Sequence, residues 1–247
     1  MVVKSPQELK AMRRAGRVVA RALAALREAI RPGMRTEELD AIAEAEIRRH
    51  GATPSFIGYR GFPASLCVSI NEEIVHGIPG DRVVREGDIV SLDVGAIVDG
   101  FHGDAAITVG VGRAAPKAQR LIDAAQQALE AGIQAARAGS RLGEISVAIQ
   151  TVAESRGYSV VREYVGHGIG RNMHEEPAVP NYGRPGRGVL LQEGMALAIE
   201  PMLNIGTWKT KVKGDNWTVV TEDGSLSAHF EHTIAITADG AEVLTRL

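Results

Sequence analysis

One cysteine, Cys67, occurs in 247 residues, so an intrachain disulfide is excluded and a reducing compartment is favoured. Charge of one sign is not in excess: 28 Lys and Arg face 30 Asp and Glu. There is thus no electrostatic case for nucleic acid as the main partner. No apolar run approaches the roughly 20 residues that span a bilayer. Residues 1–16 are charged throughout and lack the apolar segment of a signal peptide. No Pro-, Gly- or Ser-rich linker divides the chain. These absences predict a cytoplasmic protein folded as one domain over 1–247, with no membrane partner and no sequence-specific nucleic-acid partner. A chain of this length hides roughly 70% of its unfolded surface, enough for a sizeable core.

What is present is a pattern that occurs twice. Residues 85–93 and 192–200 each run from a Glu-Gly turn through a short apolar stretch to a carboxylate, Asp93 in one copy and Glu200 in the other. A second pair follows, Asp104 in Asp-Ala-Ala-Ile-Thr-Val and Glu231 in Glu-His-Thr-Ile-Ala-Ile. The order of elements repeats as well. Ser5, Pro6 and Glu8 start a helix over about 6–30, and Thr36 is read as the cap of a second that stops near Gly51. Strands are expected near 65–70, 88–98 and 104–110. Helices over 116–138 and 142–156 follow, then strands near 158–165, 195–200, 217–221 and 230–237, with 180–188 a surface loop. Gly157 answers Gly51. Helix, helix, then strands, twice over, predicts an α+β fold: internal repeats of about 5–112 and 113–240 with pseudo-two-fold symmetry, forming one curved, mostly antiparallel sheet with helices outside.

Two acids from each half then converge on the concave face. Four converging carboxylates repel one another unless a cation lies between them, and a divalent metal pair meets that need. His167 stands between glycines in Gly-His-Gly-Ile-Gly and is the best imidazole candidate to join them. His76, His102 and His174 also sit near turns, and nothing in the pattern alone divides roles among them. Oxygen-rich ligation with one imidazole suits Mn, Fe(II), Co or Zn. A carboxylate-bridged metal pair activates water for attack on an acyl or phosphoryl group.

These residues carry a resemblance. Leu92-Asp93-Val94-Gly95, Phe101-His102-Gly103-Asp104, Gly166-His167-Gly168-Ile169-Gly170, Ile199-Glu200-Pro201 and Glu231-His232-Thr233 are similar to the motifs of type I methionine aminopeptidases. So are Gly61-Phe62-Pro63, Ser69-Ile70-Asn71-Glu72, His76-Gly77-Ile78-Pro79 and Met173-His174-Glu175-Glu176-Pro177. Similarity runs from about residue 5 to 240. The resemblance implies the pita-bread fold and removal of the initiator methionine from nascent proteins when the second residue is small. It implies two divalent ions held by Asp93, Asp104, His167, Glu200 and Glu231, with Asp104 and Glu231 bridging and Glu200 taking a proton from the attacking water. His174 would contact the scissile peptide and His76 the substrate backbone. Phe56, Tyr59, Phe62, Cys67, Met173 and Trp217 would line the methionine pocket, although Phe56, Phe62 and Met173 depart from the usual bacterial residues Cys, Tyr and Phe. A monovalent cation near Asn71, Glu73 and Ser227 is a further expectation. The resemblance also implies a monomer of the short bacterial form, with neither the helical insertion nor the zinc-finger extension of longer relatives. The ribosome is a candidate docking partner, because the substrate emerges there. The competing expectations are an X-Pro-cleaving prolidase or aminopeptidase P relative, and a non-catalytic ribosome-binding scaffold.

Overall fold

The computed structural model describes residues 3–247. Four helices, α1 (Pro6–Ala29), α2 (Thr36–Arg49), α3 (Pro116–Ala135) and α4 (Leu142–Ser155), alternate in pairs with runs of strands. α1 begins as its sequence predicts. The Glu8 N–H donates to Ser5 Oγ at 3.3 Å, and the Ser5 N–H donates to the Glu8 carboxylate at 2.9 Å. α2 begins differently. Arg35 is the cap residue, its N–H donating to Glu38 at 2.7 Å, and Thr36 is already helical. The Thr36 hydroxyl is engaged elsewhere: it donates to the Gly80 carbonyl at 3.1 Å and accepts from the Gly80 N–H at 2.8 Å. α3 ends at Ala135, short of the expected 138. There the Ser140 hydroxyl folds back onto the Arg137 carbonyl at 2.7 Å, and Gly139 takes a positive φ of 84° that closes the turn.

Nine strands form one curved sheet in which every pairing is antiparallel. Its main order is Thr53–Pro54, Ile89–Val98, Phe101–Gly110, Glu231–Thr237, Ala196–Ile199, Gly166–Gly168, Glu175–Val179. Leu66–Ile70 also pairs with Ile89–Val98, and Gly240–Val243 with Glu231–Thr237. Side chains alternate across a strand, so one parity faces the helices. Val90, Leu92, Val94 and Ala96 pack with α1 and α2 in one core. Leu197, Ile199, Ile234 and Ile236 pack with α3 and α4 in another. The opposite parity is left to face the concave side.

Positions matched between the two halves of the sequence have matching backbones. Gly33 and Gly139 have φ of 92° and 84°, Gly51 and Gly157 69° and 78°, Gly87 and Gly194 86° and 83°. Arg35 bridges to Val83 as Arg141 bridges to Leu190. Close helix-on-sheet contact sits at Gly103, where a Cβ would come within 2.8 Å of the Gly16 nitrogen in α1.

Two strand expectations need correction. The stretch near 158–165 is a strand only at Ser159–Val160. Beyond it, surface partners draw the side chains away from a ladder: Arg162 lies over the rings of Trp208 and Tyr182, and Glu163 accepts from Thr210. The stretch near 217–221 begins at Val219, because the N–H groups of Trp217 and Thr218 both donate to Asp215 Oδ1. Asp93 lies in the middle of Ile89–Val98, the strand expected near 88–98. Two small three-stranded sheets, one of Ser159–Val160, Met202–Asn204 and Ser227–His229, the other of Glu73–Val75, Thr210–Val212 and Val219–Thr221, complete the strand inventory of the described residues. Residues 180–188 are loop and mostly exposed, as expected.

Candidate metal centre and substrate cavity

Strand register builds the site. Cys67 pairs with Asp93, Asp93 with Ala106, and Ala106 with Glu231. Directly opposed residues share a face, so Cys67, Asp93, Ala106 and Glu231 form one row across four strands. Asp104 is two residues from Ala106 and therefore on the same face. On the other flank His167 pairs with Ala198, and Ala198 with Thr233, which again sets His167 on the face of Glu231. Glu200, two residues beyond Ala198, follows immediately after Ala196–Ile199. All four acids and His167 thus meet over Ala106, whose methyl group leaves the centre open.

The glycines beside His167 serve backbone approach rather than ligand access. A Cβ at Gly166 would lie 2.4 Å from the Ala198 carbonyl, and one at Gly168 2.4 Å from the Glu176 carbonyl. His167 Nδ1 donates to the Gly168 carbonyl at 2.9 Å. That bond leaves Nε2 as the lone-pair nitrogen, 3.5 Å from Glu200 Oε1. Thr233 braces Asp104: its hydroxyl accepts from the Asp104 N–H at 2.9 Å and donates to the Asp104 carbonyl at 2.7 Å.

The electrostatics are those of an anionic cluster out of water. Burial, opposed by hydrogen bonding with Asp104, pushes Asp93 up to about 7. Burial and then the charges of neighbouring acids raise Asp104, Glu200 and Glu231 well above the usual carboxylate range. Burial, and next the proximity of His174, lowers His167 to about 3, so its imidazole is neutral and able to ligate. Asp93 Oδ1, Asp104 Oδ1 and Glu231 Oε1 are buried with no hydrogen-bond partner. Orphaned carboxylate oxygens at this depth are costly unless a cation compensates them. Ligand atoms of Asp104, His167 and Glu231 lie within 4.8 Å of one another. Hard oxygen donors with a neutral imidazole at that separation fit a divalent ion.

The acids form the floor of a cavity of about 130 Å³. Its walls are the expected residues Phe56, Tyr59, Phe62, Cys67, Met173 and Trp217, with His76 and His174 at the same opening. Phe62 packs edge-on against Phe56 at 6.5 Å and against Trp217 at 5.1 Å between centroids. Burial raises the Cys67 thiol, so it lies as a neutral, apolar wall. His76 has a positive φ of 60°, rare for a residue with a side chain, and its ring packs on Tyr164 and Trp217. Burial lowers it to about 4. His174 stacks on Tyr59 at 5.4 Å and lies 4.2 Å from the His167 ring.

His102, singled out beside a turn, shares the face of Asp104 but is not among the residues lining the cavity; its Nδ1 is hydrogen-bonded with Ser55 Oγ at 2.9 Å. At the proposed monovalent-cation position, the Ser227 N–H donates to the Asn71 carbonyl at 2.9 Å. The Glu73 carboxylate there is already paired with Lys213 and Arg82, each at 2.6 Å. Two residues escaped the sequence reading. Arg60 lines the cavity with its guanidinium 5.4 Å from the centre of the Tyr59 ring, and no motif announces it. His229 reaches Glu200 and Glu231 from an element of its own. Its place two residues before Glu231 was the available signal.

An α+β half-barrel with buried acids and a neutral imidazole beneath an apolar cavity defines a metal-dependent hydrolase. The chain belongs to metallopeptidase family M24, whose sequence pattern matches residues 10–238. It is 53% identical to methionine aminopeptidase 1 of Bacillus subtilis strain 168 over 247 residues, covering 100% of each chain. It superposes on the crystal structure of methionine aminopeptidase from Thermotoga maritima with a TM-score of 0.99 at 47% identity, again over 100% of both. Prolidase from Pyrococcus furiosus shares the fold only, with a TM-score of 0.80 at 24% identity over 66% of the prolidase chain. The prolidase alternative gains nothing beyond that fold.

Proposed function

We propose that this chain is a methionine aminopeptidase that releases the initiator methionine from nascent polypeptides when the following residue is small. The observation that supports it most is the meeting of four acids, Asp104 and Glu231 buried and Asp93 and Glu200 partly so, with His167 in an apolar cavity that also presents His76 and His174. Asp93, Asp104, His167, Glu200 and Glu231 would hold the metal, two divalent ions drawn from Co, Mn, Fe(II) or Zn. When bound, these supply Lewis-acid activation of water and of the scissile carbonyl.

The remaining work falls to side chains. Phe56, Phe62, Cys67, Met173 and Trp217 enclose an unbranched thioether and exclude water from it. His76 holds the substrate backbone. Glu200, next to His167 Nε2, accepts a proton from the attacking water, a role suited to a carboxylate whose proton affinity burial has raised. His174 donates from Nε2 toward the developing oxyanion while Tyr59 holds its Nδ1. The reading extends to a single catalytic domain built from two repeats, acting as a cytoplasmic monomer, with ribosome docking and a monovalent cation beside Asn71 and Ser227 as secondary features. Among the described residues no helix is long and apolar enough to cross a membrane.

The test is mass-spectrometric release of methionine from Met-Ala-Ser by chelator-stripped enzyme, with Co, Mn, Fe(II) or Zn added back, beside Met-Arg-Ser and an X-Pro dipeptide. Metal-restored cleavage of Met-Ala-Ser far exceeding the other two is expected. Silence with every metal would overturn the reading.

A further inference from the structure

A second imidazole stands between Glu200 and Glu231. His229 ends the strand Ser227–His229 and is 1% exposed. Its backbone is clamped on both sides by one hydroxyl: the His229 N–H donates to Thr108 Oγ1 at 2.9 Å, and Thr108 donates to the His229 carbonyl at 2.8 Å. Ser91 Oγ steadies that hydroxyl from 2.8 Å. The backbone is therefore held and the ring is buried, yet neither ring nitrogen has a hydrogen-bond partner. A buried imidazole left wholly unpaired is an exception that calls for a cause.

Nε2 supplies the cause. It lies 3.9 Å from Glu231 Oε2 and 4.0 Å from Glu200 Oε2. Those separations are too long for hydrogen bonds. They suit atoms that share a cation, because metal–ligand bonds of about 2.0–2.2 Å put ligand atoms roughly 3–4 Å apart. Glu200, His229 and Glu231 form a ligand group of their own, with all three atoms within 4.8 Å, beside the group of Asp104, His167 and Glu231. Glu231 is common to both.

We propose that His229 Nε2 is a protein ligand to a divalent ion held with Glu200 and Glu231, so that the centre carries one imidazole at each end. This inference rests on the metallopeptidase reading of the same site. A second nitrogen donor shifts the centre's preference from Mn toward Fe(II), Co and Zn.

The test uses the full chain labelled with ¹⁵N in histidine and titrated with zinc. Two imidazoles, His167 and His229, should move to metal-bound resonances, and His229→Gln should abolish one of them and weaken one equivalent of zinc by about tenfold or more in calorimetry. A single zinc-shifted imidazole, assigned by its loss in His167→Ala, would overturn the inference and leave the site reading intact. A chain in which zinc shifts no imidazole and binds no carboxylate overturns both. The wild-type titration decides the matter even if His229→Gln does not fold.

Discussion

The Tyr59 hydroxyl lies 2.8 Å from His174 Nδ1, with the two rings stacked at 24°. A phenol donating to Nδ1 puts the imidazole proton on Nε2, where it is available to an oxyanion. Tyr59→Phe should therefore lower kcat about tenfold with little change in KM, in line with the loss of one neutral hydrogen bond. Steady-state kinetics on Met-Ala-Ser checks it, and a pure KM effect would argue that Tyr59 only walls the pocket.

Glu200→Gln keeps the shape of the side chain and removes the basic oxygen. Methionine release should fall by about 10²-fold or more. The far-UV circular dichroism spectrum should not change. Retained activity would reassign the proton acceptor.

Ala106 keeps the centre open, because any larger side chain would project between Asp93 and Glu231, its partners in register. Ala106→Leu should reduce bound zinc to below one equivalent by elemental analysis. It should also cost about 1–3 kcal/mol of stability from overpacking. Normal metal stoichiometry in this variant would contradict the row geometry described above.

Without metal, stability should respond to pH in a particular direction. Asp93 is raised to about 7, and Asp104, Glu200 and Glu231 are raised well above ordinary carboxylates, so they favour folding while protonated and lose that contribution as pH rises through their folded values. His76, His167 and His229 are lowered to about 4, 3 and 3, and their contribution is lost as pH falls from about 6.5 toward those values. Above pH 6.5 the histidine contribution is complete and only the acids titrate. The melting temperature of chelator-treated protein should drop between pH 6.5 and 8, and an added divalent metal should remove the drop. A flat profile would mean the acids are compensated by something other than a cation.

The elements most legible in the sequence were those set by local rules. The Ser5–Glu8 capping box, the amphipathic run of α1 and the paired Glu-Gly turns each depend on a few adjacent residues, and each is present. The five acidic and imidazole residues were legible because polar groups in apolar strands stand out, and repetition marked four of them. Thr36 misled because a cap and a first-turn residue look alike until the position of Gly80 is known. His229 and Arg60 were hidden for a related reason. Their proximity to the acids arises from strand order and loop placement, and along the chain only the two-residue step from His229 to Glu231 hinted at it.

The strand Glu231–Thr237 joins Phe101–Gly110 on one side to Ala196–Ile199 on the other. It is thus the seam between an early half and a late half, and it carries Glu231, the one acid common to both ligand groups. A chain still being synthesised can complete the first core, with α1 and α2 on their strands, long before residue 231 exists. The proposed ligand set is complete only once that late strand has paired between its two neighbours. With Glu231 in the proposed ligand set, a copy that stops before that strand would keep the first core and lack one acid of the centre.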